Sequence, residues 1–364
     1  METPIRWAEN DPLENWMFKL LCLDAEIVDA RTLVNFEPKK LEHQLLNKEQ
    51  LVANSELLNE VFSLLVLAHY RTRPNDLKKL LDEENLFLYA TLHHGHVIAV
   101  ALVVAEGLFS GSLSTLIYRG ERRPQGHLLA QALTYHCGLE HAARLDYARI
   151  MRIAVHPELQ HQGIGTALLD YIVINEKSRG RDAIGTSFGM NVSLLDFWRK
   201  SNFTVVRIGF TREQTSGEHA AIMLFPLSDQ GEKINQQAHT QFVEKCPYWF
   251  SDILKALPLE IKNIFLSETK ESFELNDFDK KDLHSFVKYS RNYELCIAAL
   301  NKFVMIKYDE IKQESFPDNF RQVLTEKVIN KTSWKDIGNA MALSGQNEAR
   351  KLFHSAILYF MEIS

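Results

Sequence analysis

From residue 48 onward the apolar positions fall into regular registers. Leu51, Leu57, Leu58, Val61, Phe62, Leu65 and Val66 recur at three-, four- and seven-residue spacings, which predicts a helix with one buried face. His69-Tyr70-Arg71 closes it, and Pro74 opens a second helix over 75–81. Apolar runs at 86–91 and 96–104 predict two strands, with His94-Gly95 suited to a tight hairpin between them. A basic turn at 120–128 precedes a helical stretch at 128–137. The β-branched run at 149–155 predicts a strand that stops at His156-Pro157; a glycine loop and a helix over 166–179 follow. Then come a strand at 183–188, a helix over 192–200 with Leu194, Leu195 and Trp198 on one face, and strands at 203–210 and 220–224. This order predicts an α/β unit: a mixed central sheet with helices on both faces.

Outside 48–228 the pattern differs. Residues 1–47 show a short strand-like run near 20–27 and a charged stretch, Glu37-Pro38-Lys39-Lys40, and read as a connector. From 229 to 364 strand-like alternation disappears, Lys and Glu interleave, and helical spacing dominates, which predicts a mainly helical C-terminal domain. Its last part has a helix-turn-helix look. Ser333, with Asp336 three residues on, makes a capping-box-like start; Ser344-Gly345 makes the turn, and 347–360 forms the second helix. A bundle cap and a nucleic-acid docking element are both open readings, and the near-neutral charge of this segment lends the second no support.

Composition narrows the class. At 364 residues the chain has room for two or three cores, and 46% hydrophobic with 24% charged residues is ordinary for a globular protein. A net charge of −6 gives no general pull toward nucleic acid or anionic membrane. Cys22, Cys137, Cys246 and Cys296 form no Cys-x-x-Cys pair, which argues for thiols in a reducing compartment and against a metal site. Arg6, Glu9, Asp11 and Glu14 argue against a signal peptide, and the apolar runs near 61–68 and 97–105 are too short to span a bilayer. A cytoplasmic protein without membrane contact is expected.

The chemistry concentrates at 149–169. A strand, a loop with two glycines, Gln160-x-x-Gly163-x-Gly165, and a helix from Thr166 form a recipe for holding a pyrophosphate. The backbone comes close at glycine, helix-start N–H groups point at the anion, and the helix dipole favours negative charge. The spacing is neither the dinucleotide fingerprint nor a P-loop, since no third glycine follows at the required offset and no Gly-Lys dipeptide occurs. It resembles the acetyl-CoA signature of the GNAT acetyltransferase superfamily, placed after a strand ending Val155-His156-Pro157. A plain strand-to-helix turn is the alternative.

Further stretches narrow the resemblance. They are Pro4-Ile5-Arg6-Trp7-Ala8 with Asp11-Pro12-Leu13-Glu14, Ala68-His69-Tyr70-Arg71-Thr72 with Pro74-x-Asp76-Leu77, and Gly120-x-Arg122-Arg123-Pro124-x-Gly126. Arg152-Ile153-Ala154-Val155-His156-Pro157, Ser187-Phe188-Gly189 and Gly217-Glu218-His219 complete the set. Together they resemble the tRNA(Met) cytidine acetyltransferases, relatives of the larger eukaryotic RNA cytidine acetyltransferases. The resemblance implies a GNAT fold over 48–228, with a helical, candidate tRNA-binding domain at 229–364. It implies acetyl-CoA as cofactor and formation of N4-acetylcytidine at the wobble position of elongator tRNA(Met). Family members carry a helicase-like ATPase module ahead of the acetyltransferase domain. Residues 1–47 look like the end of that module, and no Walker motif is present, so a fragment, a truncated product or a stand-alone relative are all open, with an ATPase acting in trans as one expectation. An acetyltransferase of small-molecule or protein amines and a non-catalytic RNA-binding remnant are the alternatives.

By the same resemblance, the backbone of Ile153, Ala154 and Val155 pairs with the pantetheine arm where two strands splay, and Gln160, His161, Gln162, Gly163, Ile164, Gly165 and Thr166 cradle the pyrophosphate. Lys200 stands where the family often has a basic residue near the CoA phosphates; Ser193 replaces a common Glu, and that contact is not carried over. Trp198 replaces a tyrosine that often protonates the leaving thiolate, and indole has no proton to give at neutral pH. Cytosine's N4 amine is weakly nucleophilic, so its attack needs positioning, a base and oxyanion donors. His69, with Tyr70 beside it, is the candidate base because imidazole titrates in the useful range; a helix-end histidine bonded to backbone carbonyls is the alternative. His156 is expected to pack below the loop, and His219 is a weaker candidate. Arg122 and Arg123 are candidates for RNA phosphate contacts, against a solvated turn.

Overall fold

The computed structural model describes residues 11–22, 27–29, 40–67, 74–214, 216–269, 273–289 and 291–363. The first element is a helix, α1 (Pro12–Leu20), over residues for which the pattern predicted no element, just ahead of the strand-like run near 20–27. The Asp-Pro pair starts it: the Asp11 carboxylate accepts from the Leu13 and Glu14 amides at 2.9 and 3.1 Å, and Pro12 has its φ preset for a first turn. Residues 23–26, the centre of that predicted strand, lie outside the described residues. The stretch read as a connector also contains a strand, β1 (Glu42–Leu46), too short and polar to register as alternation.

The helix predicted from residue 48 is two, α2 (Lys48–Ala53) and α3 (Ser55–Leu67). Asn54 breaks it, its side chain accepting from the Leu57 amide at 3.1 Å, which favours a cap over a helix interior. After α4 (Pro74–Asp82) the expected hairpin appears, β2 (Leu86–His93) and β3 (His96–Gly107). Its turn places His94 at φ 51 and Gly95 at φ 84, the left-handed pair that a two-residue hairpin loop requires. Next come α5 (Gly111–Tyr118), not anticipated, and α6 (Leu128–Gln131), which widens into a π turn through His136. Then follow β4 (Asp146–Val155), α7 (Ile164–Ser178), β5 (Ala183–Gly189), α8 (Val192–Lys200), β6 (Thr204–Arg212) and β7 (His219–Pro226), each close to its predicted place.

The strand order is β1-β2-β3-β4-β5-β7-β6. β4 and β5 run parallel, whereas the β1/β2, β2/β3 and β6/β7 pairs are antiparallel, so the sheet is mixed as expected. The chain divides into two compact units. One comprises 1–106, 146–187 and 225–229; the other comprises 107–145, 188–224 and 230–364. In the first unit, Leu86, Leu88 and Ala90 of β2 pack with Leu64 and Leu65 of α3 and Leu80 of α4. Tyr89, on the opposite face by strand alternation, reaches α7 through its hydroxyl, which donates to Glu176. Helices thus cover both faces, and β3 is buried along almost all its length, as suits a central strand.

The rest of the second unit is helical, as predicted: α9 (Asp229–Ser251), α10 (Leu259–Leu266), α11 (Asp277–Tyr289), α12 (Ile297–Ile306), α13 (Tyr308–Ile311), α14 (Asp318–Leu324), α15 (Trp334–Ala340) and α16 (Gln346–Ile363). Ser333 caps α15 through the Asp336 amide at 3.2 Å, so the predicted helix start is in place. No helix among the described residues is long and apolar enough to cross a membrane.

Candidate functional site

β4 carries the site. Its register with β5 runs from Tyr147↔Ala183 to Ile150↔Thr186 and stops there, although β4 continues to Val155. The environment changes at that point: Ile150 is 1% exposed, Met151 40%, and Arg152 to Val155 are half-buried. The other edge stays engaged, with the His156 amide donating to the Ile98 carbonyl at 2.8 Å. Past Ile150, therefore, one main-chain edge of β4 is left without its β5 partner. An extended ligand that pairs like a strand can satisfy those groups.

The loop follows directly. Pro157–Leu159 makes one 3-10 turn, anchored by buried Leu159. The Gln160 amide then turns back, its Nε2 donating to the Val155 carbonyl at 3.3 Å. His161 stands at φ 61 and Gly163 at φ 82, both left-handed. Gly163 is the N-cap residue of α7, and no side chain caps the helix there. The first amides of a helix have no carbonyl behind them in their own helix, and here they open onto exposed residues 160–163. A Cβ built at Gly163 would meet nothing within 4 Å, so the space before the helix start is open. Ile164 points its side chain into the core at 1% exposure and offers only main chain outward. Bare amides, a positive helix end and open space fit the diphosphate of a coenzyme.

Several contacts fix this arrangement. Arg152 Nη2 reaches Asp76 Oδ2 at 3.2 Å, tying β4 to α4, and Arg149 Nε donates to Glu106 Oε1 at 2.6 Å, tying β4 to β3. At the far end of α7, fully buried Glu176 accepts from the Tyr89 hydroxyl and from Arg181 Nε at 3.2 Å. Arg181 also bridges Asp146, the first residue of β4, at 2.5 Å. Burial, reinforced by the Glu176 carboxylate, pushes the Tyr89 hydroxyl far above its ordinary value, so it stays protonated as a donor. His156 lies beneath the loop as expected, 1% exposed, with Nε2 bonded to the Val28 carbonyl at 2.8 Å.

Ile153 to Val155 and Gln160 to Thr166 are thus brought together in one continuous segment of the first unit. His69 and Tyr70 lie outside the described residues. Lys200, Arg122 and Arg123 belong to the second unit, and all three are exposed. There Trp198 is 3% exposed, packed against Phe188, Phe197 and Phe203 with ring centroids at 6.1, 5.1 and 4.9 Å, so its role is that of a core aromatic. His219 is held by a 2.8 Å bond between Nδ1 and the Gly209 carbonyl.

Two features escaped the sequence reading. The Tyr89–Glu176–Arg181 network joins residues 87 positions apart and leaves no local signal. The second is a cationic neighbourhood around His136. Burial first, then Arg207, Arg123 and Arg291, push the His136 imidazole down to about 3, so it is neutral. Burial also lowers Arg207, whose Nε has no hydrogen-bond partner.

Known proteins match this chain in three ways. The family model GNAT acetyltransferase 2 matches residues 60–181 and 173–228, and the model described as RNA cytidine acetyltransferase NAT10/TcmA, helicase domain, matches residues 1–24. A protein of Nitrosococcus halophilus named tRNA(Met) cytidine acetyltransferase TmcA is 38% identical over 99% of this chain and 49% of its own length. Its namesakes in Vibrio cholerae and Haloarcula marismortui are 31% identical over 98% and 48%, and 37% identical over 70% and 32%. The chain spans about half the length of the Nitrosococcus halophilus and Vibrio cholerae relatives. Among solved structures, the ribosomal-protein-S18-alanine N-acetyltransferase from Escherichia coli covers 52% of this chain and 94% of its own at 17% identity, with a TM-score of 0.35.

Proposed function

The chain belongs to the tRNA(Met) cytidine acetyltransferase family, and we propose that it transfers an acetyl group from acetyl-CoA to the N4 amine of cytidine at the wobble position of elongator tRNA(Met). One observation carries the reading: β4 loses its β5 partner at Ile150 and leads directly into an uncapped, glycine-opened helix start. When bound, acetyl-CoA supplies the thioester carbonyl as electrophile. Ile153 to Val155 pair with the pantetheine arm through main chain, and Gln160 to Thr166 receive the diphosphate. Amide N–H groups at the open edge of β4 polarise the carbonyl oxygen as charge develops there. His69, assisted by Tyr70, accepts the proton that the amine loses as the C–N bond forms; the C–S bond then breaks, and coenzyme A leaves as a thiolate that takes a proton from water. Arg122 and Arg123 hold RNA phosphates, and the positive surroundings of Arg123 favour that role. Residues 48–228 form the acetyl-transfer domain, 229–364 contribute to tRNA binding, and 1–47 connect to an ATPase module, in cis or in trans. The setting is cytoplasmic.

The test is incubation with unmodified tRNA and labelled acetyl-CoA, with and without ATP and a separate ATPase module, followed by nucleoside analysis. N4-acetylcytidine at the wobble position is the expected product. Label appearing instead on small amines or protein lysines points to the amine acetyltransferase reading. Failure to bind acetyl-CoA at all leaves the non-catalytic RNA-binding reading.

A further inference from the structure

The helical part of the second unit holds a cavity of about 490 Å³ that the acetyl-transfer chemistry does not use. Arg291, Tyr293, Trp334, Arg350, Lys351 and Phe353 help to line it, and every charged side chain among its lining residues is Lys or Arg. Its volume is in the range of small-ligand pockets, roughly 300–1,000 Å³. Two lining residues carry hydrogen-bond donors without an acceptor. Trp334 is 6% exposed and its indole N–H has no partner; Arg291 is 3% exposed and its Nε–H has none.

The cations are arranged for a flat, anionic ligand. The Arg350 guanidinium lies 4.9 Å over the Trp334 ring and is tied by Nη2 to Glu294 at 2.7 Å, while its side chain keeps 38% of its surface exposed. A guanidinium fixed on one face is a platform on which a base can stack. Lys351 is exposed and has no carboxylate within salt-bridge distance among the described residues. Arg291 spends one nitrogen on Asp282 at 3.1 Å and another on the Tyr135 carbonyl at 2.8 Å, which leaves its Nε.

We propose that this cavity is a nucleotide site: a base stacks on Arg350, and phosphate oxygens meet Lys351 and Arg350. The ligand is a nucleoside phosphate, either free or as one residue of a single-stranded RNA. The inference deepens the RNA-binding part of the proposed function but does not rest on acetyl transfer. A chain that acetylates nothing can still bind here, and one that acetylates cytidine can still lack this site.

The experiment uses the full chain with its tryptophan indoles labelled with nitrogen-15, and assigns the Trp334 signal with Trp334→Phe. Uridine 5′-monophosphate, uridine and a six-residue oligouridylate are titrated separately. The expected result is a saturable shift of the Trp334 indole signal with the monophosphate or the oligonucleotide, and weaker binding of the uncharged nucleoside by about tenfold or more. A response to both, or to the monophosphate alone, identifies a free nucleotide as sufficient; a response to the oligonucleotide alone identifies RNA. Lys351→Gln, a surface change that keeps the fold, weakens binding by about tenfold and reduces its salt dependence. A Trp334 signal that stays fixed with both charged ligands, or uridine binding as tightly as its monophosphate, overturns the proposal.

Discussion

At the scale of single residues, Gly163 is the position on which the site depends most. Its φ of 82 is left-handed, and a Cβ there would meet no atom within 4 Å, so substitution brings backbone strain and no clash. For a residue with a side chain that strain is about 1–2 kcal/mol. Gly163→Ala should therefore either lower stability by that amount in denaturant unfolding, or relax the loop and weaken acetyl-CoA binding by about tenfold in calorimetry. An unchanged protein on both measures would contradict the reading. His69→Ala should lower turnover by about 10²- to 10⁴-fold while acetyl-CoA affinity holds, and should remove the limb of the pH–rate profile that reports the base. His136 makes a separate, pH-dependent prediction. Its pKa falls from 6.5 to about 3 in the fold, so between those values the unfolded chain binds a proton that the folded chain refuses. Stability then falls as pH drops from about 6.5 toward 3, and His136→Phe should flatten that slope in unfolding experiments at several pH values.

At the scale of elements, periodicity was enough wherever one face of an element is buried. The β2–β3 hairpin, α7, α8 and the β6–β7 pair fall within a few residues of their predicted spans. It failed where side-chain capping decided the outcome, as at Asn54, which splits one predicted helix in two, and it was silent at Asp11, whose carboxylate starts α1. It failed again at β1, whose place is set by its pairing with Leu88 to Leu92 rather than by its own residues. Among the helices, long-range ion pairs are equally silent in the sequence. Lys327, 1% exposed, meets both oxygens of Asp252 at 2.8 Å and bonds the Thr332 carbonyl at 3.1 Å. Burial lowers its pKa while Asp252 opposes the shift. Removing one partner leaves a buried charge, so Asp252→Asn should cost about 3–5 kcal/mol in chemical denaturation. The double variant Asp252→Leu with Lys327→Met should recover most of that loss; a single variant no weaker than the double would contradict the pairing.

At the scale of the whole molecule, two units share one chain, and the glycine loop and open edge of β4 lie in the first. That segment was legible in advance because its chemistry is local: a strand, a turn and a helix start within residues 149–169, made almost entirely from main chain. Whatever relies on side chains from distant positions was not legible, including the Glu176 network that secures α7 and the cavity beside Trp334. The most direct measurement is therefore a crystal structure of the chain with coenzyme A. The diphosphate should lie within hydrogen-bonding distance of the main-chain amides between Gln162 and Thr166, and the pantetheine arm alongside Ile153 to Val155. Coenzyme seated elsewhere, or a loop whose amides stay turned from it, would contradict the account.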